Sequence, residues 1–409
     1  YLESSEFIAI IEMLAYLSQT LVFRMDLNTR ENFLESAERR DSVFKLARML
    51  GYNPKRNFTS SGLMKLTSVR TTEPLTDSLG NNLSNRQIYW NDANNPQSYE
   101  QFITIVNAAM AGSNRFTSPY KVGRVGGIDT ELYRIATPVT APITYNIEVN
   151  LNGASTAFNI INPNFVDSGF FYEETPDPTN LFNLIYRNDG LGLQSSDTGF
   201  FVMFKQGLLD FVDFEFTSPI QNRFEDLAVP NINETDVFLQ KINTSGGVLE
   251  QWVQVPNLIG QTLNYNSELF NTRNLYSVEN LNNGGIKLKF SDGNFGNIPI
   301  GVYRLWYRTS LPERYVIQPE DARNLTITIP YVNNKNQGQA LTVTFRLEKK
   351  VSNSLPAESL QSIKQRAPQV YYTQNRMVSA QDYNVFPLSQ STNITKIKAI
   401  NRTHAGHSR

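Results

Sequence analysis

The chain has no cysteine, only two histidines and no excess of either charge, and each scarcity excludes a class of chemistry. Without cysteine there are no disulfides, thiolate nucleophiles or cysteine-ligated metals, and such a composition suits assembly in a reducing cytoplasm. Lys plus Arg total 37 and Asp plus Glu total 38, so the sequence has no basic footprint for nucleic acid or for an anionic membrane. We therefore expect neither nucleic acid nor a membrane as a partner.

The two histidines, His404 and His407, are poor candidates for catalysis or for metal binding. Their spacing suits chelation on a helix, but Gly406 disfavours a helix and the neighbouring sequence offers no third ligand. A Ser-His-Asp triad would have to use one of these two residues, and no strand-turn-helix elbow surrounds a candidate serine. We therefore predict no metal and no cofactor.

The best group of carboxylates is formed by Asp210, Asp213 and Glu215. Asp213 and Glu215 share one face of a predicted strand at a spacing of about 7 Å, which suits an acid and base pair acting on a glycoside. The same alternation is typical of the solvent face of a strand whose other face carries Val212 and Phe214. No aromatic platform for a sugar is evident beside the carboxylates, so we predict that the protein is not an enzyme.

The length of the chain predicts several domains. A chain of 409 residues is too long to fold around a single hydrophobic core, and its length suggests about three domains. We predict a multidomain α+β fold with an N-terminal helical region, central antiparallel β-sandwich-like domains and a C-terminal α+β segment. The predicted divisions are a helical partner-binding region over 1–118, a first β-rich region over 119–175, central β-rich domains over 176–350 and the C-terminal segment over 351–409. Prolines between Pro163 and Pro178 predict an exposed linker at the second division, and we expect chain to be missing at both ends.

Five segments in the middle of the chain alternate apolar and polar residues, which is the pattern of a sheet with one solvent-facing side. They span residues 143–149, 212–216, 286–290, 325–329 and 341–345. Turns with residues able to adopt positive φ separate the predicted strands. The clearest predicted hairpin pairs Val248–Val255 with Val237–Ile242 around Ser245-Gly246-Gly247.

A seam of apolar residues at alternating steps of three and four predicts a helix near the N-terminus. The seam consists of Phe7, Ile10, Leu14, Leu17 and Leu21. Further apolar residues, including Ile8 and Val22, widen this surface, so the helix needs more than one neighbour, either in this chain or in another subunit. Glu12, Ser18 and Gln19 interrupt the apolar stretch, and we predict neither a signal peptide nor a transmembrane span.

Helical character continues to Leu50, where Gly51 and Pro54 provide a stop. The end of this helix reads Leu46-Ala47-Arg48-Met49-Leu50-Gly51-Tyr52-Asn53-Pro54. A further helix is predicted from Pro96 to Ala111, with proline in its first turn and glycine after its end.

The most informative string lies near the C-terminus. It reads Leu355-Pro356-Ala357-Glu358, then Ile363-Lys364, Ala367-Pro368 and Arg376-Met377-Val378-Ser379-Ala380-Gln381-Asp382-Tyr383. A helix is predicted from Ser354 or Pro356 to Arg366, because Pro368 disfavours its continuation. A second helix is predicted to begin at Ser379, whose hydroxyl caps free amides while Asp382 completes a capping box. By its local chemistry alone, this string is also typical of an ordinary helix-turn-helix packing unit.

This string resembles the signature of phage baseplate wedge proteins of the baseplate-J type, in which a helix ending in Ala-Pro precedes a helix start with Asp-Tyr. The stretch 46–54 is similar to a helix end of the same family that reads Leu-Gly-Tyr-x-Pro. The stretch 286–301 partly matches a Gly-Asp-Gly turn, with Ser291 in place of the first glycine. The sequence around the helix at 96–111 is similar to that of the T-even-type wedge component.

The resemblance implies a structural subunit of a contractile tail baseplate wedge, present in the virion after assembly in the host cytoplasm. Such a subunit forms the ring around the hub and transmits the conformational change that triggers sheath contraction, with rigid domains moving about hinges such as the stretch near Pro176. Implied partners are a second copy, other wedge subunits, neighbouring wedges, and sheath-initiator and hub proteins. The residues expected at partner interfaces are Phe7, Ile10, Leu14, Leu17, Leu21, Ala367, Pro368, Arg376, Asp382 and Tyr383.

Two functions of other classes stay open at this point. One is a β-rich phage tail protein that binds or cleaves a host-surface glycan, for which Asp213 and Glu215 are the residues to test. The other is a secreted β-rich adhesin, which the lack of cysteine and of a leader disfavours.

Overall fold

The computed structural model describes residues 2–112, 116–256, 258, 273–373, 376–390, 394 and 396–400. His404 and His407 lie outside these residues. Within them, strands dominate the middle of the chain and most helices lie towards its two ends, which confirms the α+β class.

The helices and strands have the following bounds. The helices are α1 Leu2–Glu31, α2 Arg40–Met49, α3 Ser98–Ala109, α4 Leu360–Thr373 and α5 Ala380–Gln390. The first strands are β1 Ser61–Thr71, β2 Ile88–Tyr89, β3 Lys121–Val125, β4 Ile128–Ile135, β5 Tyr145–Leu151, β6 Ala154–Ile161, β7 Pro163–Phe165, β8 Phe171–Glu173, β9 Phe182–Asn188 and β10 Gly199–Gln206. The later strands are β11 Leu208–Phe216, β12 Phe224–Leu227, β13 Ile232–Ile242, β14 Val248–Gln254, β15 Leu275–Asn280, β16 Ile286–Phe290, β17 Gly301–Thr309, β18 Leu325–Val332 and β19 Gly338–Arg346.

The strands form two large sheets and one short hairpin. Sheet I has ten strands, with the main order β18-β19-β1-β10-β9-β4-β3, while β2 pairs with β1, and β6 joins β10 to β5. Sheet II has seven strands in the order β11-β17-β13-β14-β15-β16-β12, and only its β14–β15 pair is parallel among the described residues. The hairpin consists of β7 and β8.

The segments with alternating residues are strands, as predicted. Along β5 the side chains alternate strictly between buried and exposed from Tyr145 to Leu151, because successive strand residues point to opposite faces. The predicted hairpin is also confirmed: β13 pairs with β14, placing Leu239 opposite Trp252.

The predicted division between residues 175 and 176 does not coincide with a division between the sheets. β9 and β10 follow that position and still pair within sheet I, as do β18 and β19 near the end of the chain. β1 lies inside the predicted helical region 1–118, yet it is a central strand of sheet I between β10 and β19. These pairings join residues that are far apart in sequence, so local composition does not reveal them.

Each sheet buries its own apolar cluster. α3 packs against sheet I through Phe102 and Ile105, and the Trp90 ring contacts Phe102 and Phe200 with ring centroids 5.2 and 6.0 Å apart. Sheet II buries Phe216 and Trp252 among other residues.

α4 differs from its prediction at both ends. It begins at Leu360, where Oγ of Ser359 accepts a hydrogen bond of 3.2 Å from the amide of Ser362. The hydroxyl of Ser354 is buried and bonds the backbone of Tyr315 instead of capping a helix. Pro368 lies inside α4, although its missing amide donor costs about 3 kcal/mol in a helix interior. Burial of Ile363 and Ala367 on one face of α4 offsets this cost.

The capping box at the start of α5 is confirmed. The amide of Asp382 donates to Oγ of Ser379 at 3.2 Å, and the amide of Ser379 donates to Oδ2 of Asp382 at 2.7 Å. These bonds satisfy amides that have no partner within the helix.

Candidate functional site

The apolar residues of α1 lie in solvent. α1 is 30 residues long, and its seam residues are each more than half exposed: Phe7 65%, Ile10 51%, Leu14 59%, Leu17 55% and Leu21 53%. In the part of the chain that the structure describes, no other element covers this surface. Because so much contiguous apolar surface is unfavourable in water, α1 is the strongest candidate for an interaction site.

A single narrow polar stripe runs along α1. Glu12, Gln19 and Asp26 recur at intervals of seven residues, which places them on one face of the helix. Between Phe7 and Leu27 most other positions are apolar, so this part of the helix has several apolar faces and one polar face. This distribution suits a helix surrounded by neighbours that leave only the stripe in contact with water.

By length and composition, α1 is also able to cross a membrane. The segment concerned is Phe7–Glu31, and its most apolar part is not buried in the structure. Glu12 and Asp26 lie within this segment, and ionised carboxylates are disfavoured in the hydrocarbon core of a bilayer. One such helix near the N-terminus is weak evidence for a span, so the prediction against a span stays a prediction.

Beyond α1, helices α2 and α4 pack together, although one precedes the two large sheets in sequence and the other follows them. The buried residues of this helical cluster are Ala37, Val43, Phe44, Ala47, Tyr52, Ile363, Ala367 and Val370. The cluster therefore unites the Leu-Gly-Tyr-x-Pro stretch at 46–54 with the Ala-Pro helix of the C-terminal string.

A hydrogen bond joins the same two stretches. The hydroxyl of Tyr52 donates to Oε2 of Glu358 at 2.6 Å, and Arg366 lies 3.6 Å from the other oxygen of this carboxylate. Burial, and next the nearby Glu358 carboxylate, raise the pKa of Tyr52, so the phenol keeps its proton. Sequence reasoning named both residues but did not pair them, because they are 306 positions apart.

The helical cluster is attached to sheet II through the turn after α2. Nδ2 of Asn53 donates to the carbonyl of Val278 at 2.9 Å, and the amide of Asn280 donates to Oδ1 of Asn53 at 3.3 Å. The buried guanidinium of Arg56 donates to Oδ1 of Asn280 and to the carbonyl of Glu234. The cluster and sheet II are thus connected by partly buried and buried hydrogen bonds as well as by the chain.

The C-terminal residues expected at interfaces have different environments. Ala367 is buried in the helical cluster, so its side chain does not lie on the surface, and Pro368 is partly buried beside it. Arg376 and Tyr383 are exposed, while Asp382 is partly buried in the cap of α5. Exposed positions for a partner therefore occur around the start of α5.

The carboxylates of the glycosidase hypothesis lie on β11 at the edge of sheet II. Both oxygens of Asp213 accept hydrogen bonds of 2.8 Å from Arg304, and Oδ1 of Asp210 accepts one from the amide of Phe211. Glu215 is exposed on the same strand. The paired geometry of Asp213 suits a solvent-facing ion pair on a strand surface.

The partial Gly-Asp-Gly match forms the turn after β16. Oδ1 of Asp292 accepts hydrogen bonds from the amides of Asn294 and Phe295, and Gly293 has a φ of +92°. A β-carbon on Gly296 would lie 3.1 Å from the carbonyl oxygen of Arg273, so the close approach of the backbone favours glycine at this position. The contacts are those of a turn held by its own side chains.

Among the described residues, no group of three or more His, Cys, Asp or Glu side chains is arranged to hold a metal ion. The predicted absence of a metal site at His404 and His407 concerns residues outside the described part of the chain.

Comparison with known families assigns most of this chain to one family. Residues 62–350 match the family described as Domain of unknown function (DUF8360), and the chain belongs to that family. The matched part holds sheets I and II almost completely, whereas α1, α2, α4 and α5 lie outside it. No curated protein matches the chain.

Proposed function

We propose that this member of the DUF8360 family is a structural subunit of a contractile phage tail baseplate wedge. In this role it belongs to the virion, forms part of the ring around the hub and transmits the change that triggers sheath contraction. Its partners are a second copy of itself, other wedge subunits, neighbouring wedges, and sheath-initiator and hub proteins. The protein acts by binding these subunits and not by catalysis.

The exposed apolar surface of α1 is the observation that carries this proposal. Leu14 and Leu17 are more than half exposed. Covering a leucine side chain stabilises a complex by about 1.5–3 kcal/mol, so an α1 helix from a second copy gains free energy by packing here. The apolar faces beside the seam then accept helices from other subunits, and the polar stripe stays in water.

The helical cluster supports the resemblance to baseplate wedge proteins, from which the proposed assembly is inferred. The two stretches most similar to wedge proteins lie at opposite ends of the chain, and they contact each other through Tyr52 and Glu358. A shared contact gives both stretches one structural role, as expected if they form one signature.

We also propose that the fold is multidomain. In this division α1 is the partner-binding helix, the two sheets are central β units with their own cores, and the helical cluster is the C-terminal unit that closes onto sheet II.

The test is the size of the purified chain in solution. We expect the parent chain to form multimers at micromolar concentration, and Leu14→Asp with Leu17→Asp to produce a monomer with an unchanged far-UV circular dichroism spectrum. The matched control is Gln19→Asp, which adds a carboxylate to the polar stripe of the same helix and leaves assembly intact. Light scattering coupled to size-exclusion chromatography measures all three.

Equal sizes for the double variant and the parent chain would contradict this role of α1. Electron micrographs of the native assembly test the wider proposal, because a wedge subunit occurs in rings or star-shaped plates. Discrete trimers with a fibrous outline would favour the glycan-binding tail protein, and flotation of the parent chain with lipid vesicles would favour a membrane anchor.

A further inference from the structure

Four charged side chains lie in the interior where sheets I and II meet. Lys205 belongs to β10 of sheet I, Asp236 and Arg308 belong to β13 and β17 of sheet II, and Glu173 ends β8 of the short hairpin. Asp236 and Arg308 are 0% exposed, and Glu173 and Lys205 are 7% and 8% exposed. We call these four residues the charge ring.

Each cation of the charge ring contacts both carboxylates. Nζ of Lys205 lies 2.9 Å from Oε2 of Glu173 and also contacts Oδ1 of Asp236. Nη2 of Arg308 lies 2.6 Å from Oε1 of Glu173, and its Nε lies 3.1 Å from Oδ2 of Asp236. The four ion pairs close a ring with no net charge that joins sheet I, the hairpin and sheet II.

Neutral side chains complete the hydrogen bonds of the charge ring. Nδ2 of Asn233 donates to Oδ2 of Asp236 at 2.6 Å, and Nη1 of Arg308 donates to Oδ1 of Asn159. Burial alone would raise the pKa of Asp236, but Lys205 and Arg308 lower this pKa to about 2. The carboxylate therefore stays ionised although it is fully buried.

Other contacts at the same interface leave little freedom between the sheets. Gly207 alone connects β10 to β11; its φ is +110°, and a β-carbon there would lie 2.1 Å from the carbonyl oxygen of Thr309. Nε2 of Gln240 in β13 donates to the carbonyl of Pro176 at 2.8 Å. The proline-rich stretch, where the sequence suggested a hinge, is therefore bound to sheet II.

We propose that the charge ring holds sheets I and II in one mutual orientation, so that they move as a single rigid body. Buried ion pairs contribute little net stability compared with apolar side chains, but separating them leaves unpaired charges in the interior. Any rotation of sheet I against sheet II separates Lys205 of β10 from Asp236 of β13, or Arg308 of β17 from Asn159 of β6. The inference is independent of the baseplate proposal, because it rests on contacts within one chain.

Distances between spin labels test this orientation. The chain lacks cysteine, so two introduced cysteines give one defined pair of spin-label sites. Thr326→Cys places one label at an exposed position of β18 in sheet I, and Gln251→Cys places the other at an exposed position of β14 in sheet II. We expect one narrow distance distribution by double electron-electron resonance. Glu173→Gln keeps the side-chain shape but removes the charge that both cations share, so the distribution is expected to broaden and to include new distances.

The matched control is Glu320→Gln, which breaks the solvent-exposed ion pair with Arg323 and leaves the distribution narrow. Hydrogen exchange of the amides inside both sheets is measured in parallel, and these amides are expected to stay protected in Glu173→Gln. An unchanged narrow distribution in Glu173→Gln overturns the proposal. Complete loss of protection in both sheets, to the exchange rates of an unfolded chain, also overturns it, because the ring would then hold the fold itself and not the orientation.

Discussion

α1 and the charge ring reverse the usual assignment of residue types to surface and interior. The apolar seam of α1 is more than half exposed, whereas the four charges of the ring are almost completely buried. Without partners, both would be unfavourable, because exposed apolar side chains are disfavoured in water and unpaired charges are disfavoured in the protein interior.

The difference shows where each arrangement is stabilised. The ring is balanced inside the chain, because every charge has two partners of opposite sign within the described residues. α1 has no such cover among the described residues, and under the proposed function another molecule covers it. We therefore associate the sheets with rigidity and α1 with assembly.

Arg308→Met should produce the largest loss of stability. It leaves two buried carboxylates to share one ammonium group, and we expect the free energy of unfolding to fall by about 3–5 kcal/mol. Urea unfolding followed by tryptophan fluorescence measures this. Arg323→Met, which removes an exposed ion pair, is the control and should change stability by less than about 1 kcal/mol. Equal effects of the two variants would mean that the ring is energetically like a surface pair.

A matched pair of isoleucine truncations tests the two apolar environments directly. Ile363 is fully buried in the helical cluster and Ile10 is 51% exposed on α1. Ile363→Ala should lower the free energy of unfolding by about 2–4 kcal/mol, and Ile10→Ala by less than about 0.5 kcal/mol in the isolated chain. Chemical denaturation at dilute protein concentration measures both. A large loss in Ile10→Ala would show that α1 is already covered within one chain.

Acid should weaken the charge ring through Asp236. Its folded pKa of about 2 is below the ordinary value of 3.8, so its contribution is present above pH 3.8 and is lost as the pH falls towards 2. The shift corresponds to about 2 kcal/mol of stability. Urea midpoints between pH 5 and pH 2 should fall less steeply in Asp236→Asn than in the parent chain, and parallel slopes would contradict this assignment.

The smallest effect is expected at α5, whose start is held by local bonds. Asp382 accepts hydrogen bonds from the amides of Ser379 and Val378, and these bonds lower its pKa. Asp382→Ala should increase amide exchange in the first turn of α5 about fivefold without changing global stability. Gln381→Ala, at the adjacent exposed position, is the control and should leave this exchange unchanged.

Sequence reasoning succeeded where the cause is local. The alternation in β5, the hairpin of β13 and β14, and the capping box of Ser379 and Asp382 all depend on residues a few positions apart. It failed at α4, because a proline in the interior of a helix is tolerated only when buried neighbours offset its cost. It also did not identify the charge ring, since Lys205 and Arg308 look like ordinary surface residues in their strands.

The amino-acid sequence by itself determined that α1 is a helix with several apolar faces, that the middle of the chain is strands, and where most turns and caps lie. Periodicity and backbone preference act over a few residues, so these features need no knowledge of the rest of the chain. Only the tertiary structure decided that β1, β10 and β19 share one sheet, that Tyr52 meets Glu358 and that the charge ring closes. Those features depend on contacts between segments that are distant in sequence. Such segments meet only in the folded chain, so local sequence patterns do not reveal the contacts.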